Sequence, residues 1–80
     1  MKILMPLAEG FEEIEAITVI DILRRADIEV VVAGLKDGLV EGAHRVKVQT
    51  DVGLDRIDQS RFRWPCPAGR IPWLRQPGER

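Results

Sequence analysis

Two apolar runs, "KILMPL" at residues 2–7 and "IEVVVAG" at residues 28–34, flank a segment of helix length, 11–26, that contains neither glycine nor proline. This spacing leaves few folds open. Near-continuous apolar strands are buried on both faces of a sheet, and the β-branched residues of the second run favour a strand over a helix. A helix between two such strands makes their connection a crossover, so residues 2–7 and 28–33 are expected as adjacent parallel strands joined with right-handed sense. The chain therefore reads as α/β, and its 80 residues hold at most one small domain.

Beyond Gly34 the pattern weakens. "LKDGLVEGAH" reads as turns around Gly38 and Gly42, and "RVKVQT" alternates like an exposed or edge strand. "VGLDRID" reads as a short turn or helical piece with Leu54 and Ile57 facing inward. Composition then breaks near Ser60. Residues 1–60 carry 7 Lys and Arg against 12 Asp and Glu, whereas residues 61–80 carry 5 Arg against one Glu. Four of the five prolines, both tryptophans and the only cysteine also fall in that last segment, "RFRWPCPAGRIPWLRQPGER". Prolines at this density exclude a regular helix or central strand. The organisation expected is an α/β part over 1–60 and an aberrant or disordered tail over 61–80.

A lone cysteine, Cys66, forms no internal disulfide and suits a reducing compartment. The opening apolar run is too short, and too soon acidic, for a signal peptide or a membrane span. A cytoplasmic protein is expected, without a membrane or nucleic-acid partner.

The chemistry concentrates in "AEGFEEIEA", where Glu9, Glu12, Glu13 and Glu15 crowd the approach to the helix. A phosphate site at this helix start is disfavoured, because there is one glycine in place of a G-x-G-x-x-G and the acids would repel the anion. No cofactor or metal is expected. At about 100° per residue, Ala16, Val19, Ile20, Ile22, Leu23 and Ala26 form one apolar arc that includes Glu12 and Glu15. Glu13, Thr18, Asp21, Arg24 and Arg25 fall outside it, on the solvent side. Ile14 and Ile17 make a second apolar patch, the mark of a helix covered by a partner as well as by its own core. Glu12 and Glu13 suit dipole compensation. Glu15, on the core-facing arc, is the candidate catalytic residue: burial there would raise its pKa and keep a proton available for donation.

The run "PLAEGFEEIEAITVIDILRRADIEVVVAGL", followed by "HRVKVQTDVGLDRID", closely resembles the N-terminal part of the ThiJ/PfpI superfamily, in its DJ-one clade. The resemblance covers roughly residues 1–60 and implies the N-terminal part of a flavodoxin-like parallel-sheet sandwich. It further implies a cysteine-dependent glyoxalase, deglycase or peptidase-type activity on small carbonyl or peptide substrates, with stress or chaperone roles. In that family the glutamate matching Glu15 hydrogen-bonds a reactive cysteine, and the helix carrying Ile14 and Ile17 contributes to a homodimer.

The family continues past the position of Ser60 with a strand, a Leu-Pro-Gly-Gly turn, a cysteine on a strand-to-helix elbow and a histidine. Cys66 lies too early and between two prolines, so nothing in its sequence context lowers its pKa. His44 stands in a turn with no Cys or Asp at ligand spacing and reads as a surface histidine. Asp27 stands where the family has the glycine of a left-handed helix cap. Permissible codons for Pro65–Gly69, read in a shifted frame, spell Leu-Pro-Gly-Gly, which favours an out-of-frame tail. The expectation is a truncated, inactive chain with an exposed strand edge prone to association. Its rivals are a non-enzymatic interaction module and a small regulatory α/β protein.

Overall fold

The computed structural model describes residues 2–65 and Trp73. Strand β1 (Lys2–Pro6) leads through a loop into helix α1 (Glu13–Arg25), which returns the chain to strand β2 (Val30–Gly34). The two strands are parallel, with Ile3 opposite Val30 and Pro6 opposite Ala33, as their apolar runs require. Strands β3 (Leu39–Glu41) and β4 (Lys47–Gln49) then form an antiparallel hairpin. Part of the segment read as turns is thus a strand, because Val40 has a buried place in the core to fill.

Two short strands complete the main sheet. β5 (Val52–Gly53) lies parallel beside β2, and β6 (Phe62–Arg63) lies parallel beside β1, giving the order β5-β2-β1-β6. The edge of β1 expected to be bare is therefore paired at Lys2 and Ile3, by residues beyond the boundary drawn at Ser60. Chain order also reverses at β1, which has β2 on one side and β6 on the other. In open α/β sheets the crevice beyond the C-terminal ends of the strands at such a reversal is where ligands bind.

Asp27 takes up the left-handed conformation expected of it, with φ of +61°. Its N–H donates to Arg24 O and that of Ile28 to Leu23 O, at 3.1 and 3.0 Å, the paired bonds of a Schellman ending. The core lies between α1 and one face of the sheet and comprises Met5, Leu7, Phe11, Ala16, Ile20, Val30, Val32, Val40 and Trp73. Val19 and Leu23 pack against it, whereas Ile22 and Ala26, assigned to the same arc from the sequence, are exposed. Cys66 and the tail segments 66–72 and 74–80 lie outside the described residues. Among the described residues no helix is long and apolar enough to cross a membrane.

Candidate functional site

The loop between β1 and α1 carries the acids, and the β3–β4 hairpin closes over it. Gly10 N–H donates to Glu41 O, Ala43 N–H donates to Phe11 O, and Glu41 N–H reaches the Glu9 carboxylate. Gly10 itself has φ of +86°, a turn conformation open to glycine at no steric cost.

Glu13 is the centre of this closure. Only 9% of its side chain is exposed, against the sequence expectation of a solvated residue. Its Oε2 accepts the N–H groups of His44 and Val46 at 2.6 and 3.3 Å, while Oε1 lies 2.8 Å from His44 Nδ1. Gly42 lies directly beneath: a Cβ there would collide with the Glu13 carboxyl group. Burial works to raise the pKa of Glu13, but the His44 ring and the N–H groups of Glu13, His44 and Val46 outweigh it and hold the pKa down at about 2. Glu13 is therefore a carboxylate that fastens the hairpin turn to the first turn of α1, where the helix dipole also favours negative charge.

Glu15 is exposed, which corrects the expectation that it is buried. The reason lies in the arc. Counting Ile22 and Ala26 as core swings its centre by about 30°, towards Glu15 and away from Glu13. The residues that do face inward are Glu13, Ala16, Val19, Ile20 and Leu23. Ile14 and Ile17 lie on the outer side with Glu15, Ile14 being 83% exposed.

His44 is a surface residue, as its turn position implies, but its hydrogen bonds with Glu13 were not foreseen. The available signal was the "GAHR" turn, in which a glycine and an N–H donor pair can accept a carboxylate from elsewhere. Oxygens of Glu12 and Glu13 and a ring nitrogen of His44 come within 4.8 Å of one another. Both Glu13 oxygens are already engaged, and a helix N-terminus disfavours a cation, so the cluster serves structure before it serves a metal. Clefts open on the sheet among the described residues. One of about 260 Å³ opens at the C-terminal ends of β1 and β2, between Leu7, Glu9, Leu35 and Leu39. A larger groove of about 600 Å³, lined by Lys2, Glu29, Arg61 and Phe62, lies at the opposite end, remote from the acids.

A parallel sheet with a crossover helix, and an acid-rich loop at the end of its first strand, is the N-terminal part of a flavodoxin-like α/β fold. The profile described as the DJ-1/PfpI family matches residues 1–64, and the chain belongs to that family. It is 47% identical over 62 residues to the Arabidopsis thaliana protein DJ-1 homolog A, covering 76% of this chain and 16% of that one. It is 34% identical over 73 residues to a deglycase of Thermococcus kodakarensis, covering 90% of this chain and 44% of the relative. The second match is long enough to reach past Ser60. Among solved structures, Drosophila melanogaster DJ-1beta superposes with a TM-score of 0.72 at 39% identity, over 76% of this chain and 33% of the other. The chain thus spans less than half the length of these relatives.

Proposed function

We propose that this chain carries the N-terminal part of a deglycase-type, cysteine-dependent enzyme, with Glu15 as the residue that supports the thiol. The observation that carries this reading is the family match over residues 1–64, together with the deglycase name of the archaeal relative. An exposed Glu15 at the start of α1 suits a carboxyl group whose partner comes from a later element of the sandwich. Small carbonyl compounds or peptides are the proposed substrates. The exposed Ile14 and Ile17 favour a homodimer through the same helix.

Thiolate attack needs a cysteine of depressed pKa beside donors that stabilise the developing oxyanion. Cys66, between Pro65 and Pro67, has neither in its sequence context, so the 80-residue chain is proposed to lack thiol-dependent turnover. The test is a chimera in which residues 1–64 replace the matching segment of the Thermococcus kodakarensis deglycase. The chimera should consume methylglyoxal, and Glu15→Gln in it should lower the rate about ten- to a thousand-fold with the fold intact. A Glu15→Gln chimera as fast as its parent would remove Glu15 from the mechanism, and turnover by the short chain that Cys66→Ser abolishes would reinstate that cysteine.

A further inference from the structure

Trp73 lies in the segment that the sequence marks as irregular, yet it is the largest fully buried side chain of the described residues, 1% exposed. Its indole Nε1–H donates to the carbonyl of Pro6 at 2.8 Å, and its own carbonyl accepts the N–H of Glu12 at 2.8 Å. The two bonds span the loop from the end of β1 to the start of α1.

Each bond satisfies a group that the fold leaves over. Successive residues of a parallel strand direct their backbone groups to opposite neighbours. Ile3 and Leu7 donate towards β2, to Glu29 O and Ala33 O, so the Pro6 carbonyl faces the β6 side. Among the described residues β6 ends at Arg63, level with Ile3, three residues before Pro6. The indole N–H supplies that carbonyl with a donor. Glu12 is the N-cap of α1, and its N–H, one of the donors a helix start leaves over, is taken up by the Trp73 carbonyl. Indole and core meet at the C-terminal end of β1, the crevice where the strand order reverses.

We propose that the end of β1 and the β1–α1 loop form a socket for an indole, which Trp73 fills in cis, so that the chain closes its own ligand crevice. The socket takes the flat apolar ring against the core and reads its single N–H at Pro6 O. Emptied of Trp73, it accepts free indole. This does not depend on the enzymatic reading above, since its tests involve neither Glu15 nor any thiol.

The experiment uses the full 80-residue chain. In Trp64→Phe, Trp73 is the only fluorophore; its emission should be blue-shifted and protected from acrylamide. Trp73→Ala should melt lower, and indole at tenfold its Kd should raise that melting temperature by about 6–11 °C. Indole should leave Trp64→Phe unmoved, because its socket is full. Trp73→Phe should melt between the parent and Trp73→Ala, having kept the ring and lost the N–H. Solvent-like emission from Trp73, or an equal indole shift in the filled and emptied chains, overturns the proposal. The emission result decides even where Trp73→Ala fails to fold.

Discussion

Glu13 and Glu15 stand two residues apart on one helix and live in opposite surroundings. Glu13 is enclosed by the hairpin turn, its two oxygens taken up by His44 and Val46, whereas Glu15 looks outward beside Ile14 and Ile17. A step of about 200° around the helix axis separates them. The contrast teaches that an acid with a strongly lowered pKa, Glu13, is here the one that builds the scaffold. A strongly shifted group marks a functional site only where something other than structure explains the shift.

The contrast is broken most directly by truncation. Glu13→Ala leaves the N–H groups of His44 and Val46 without their acceptor and frees the hairpin turn, so the melting temperature should fall by on the order of 10 °C. Glu15→Gln in the same 80-residue chain should leave it unchanged, because no fold-bearing contact is lost. Equal effects in paired thermal melts would mean that the two glutamates are not distinguished by the fold.

Acid sharpens the same contrast. The pKa of Glu13 is lowered from its ordinary 4.5 to about 2 in the fold, so the unfolded chain binds the proton more readily. Its stabilising contribution is complete above pH 4.5 and is lost as the pH falls through the interval to about 2. Urea titrations across that interval should show the parent losing stability faster than Glu13→Ala. Parallel slopes would show that Glu13 has the same pKa folded and unfolded.

The smallest effect lies at the other end of α1. Asp27 holds a left-handed φ of +61°, so Asp27→Gly should stabilise the chain by about 0.5–1 kcal/mol. Denaturant unfolding measures this gain, and its absence would mean that the aspartate offsets its own backbone strain. The change also serves as a calibration, since it alters the helix without touching either glutamate.

What was legible in the sequence follows from what repeats in it. β1, α1 and β2 announce themselves by length, β-branching and the absence of helix breakers, and Asp27 by its position after the last helical turn. The identity of the inward glutamate was not legible. It hinged on Ile22, apolar by type but exposed in the fold, which displaced the calculated face. β6 is two residues long and Trp73 is one residue, so neither has a period to detect. Both are placed by tertiary contacts that local pattern does not encode.

The bond from Trp73 to Pro6 joins residues 67 positions apart, and this orders events in time. Contacts among β1, α1 and β2 close short loops and can form early, whereas closing a loop of this length carries a larger entropic cost and repays it only once the core exists to receive the ring. During synthesis the end of the first strand therefore waits, open, until residue 73 has been made. Of the described core residues, the last in chain order is the one that seals the end of the first strand.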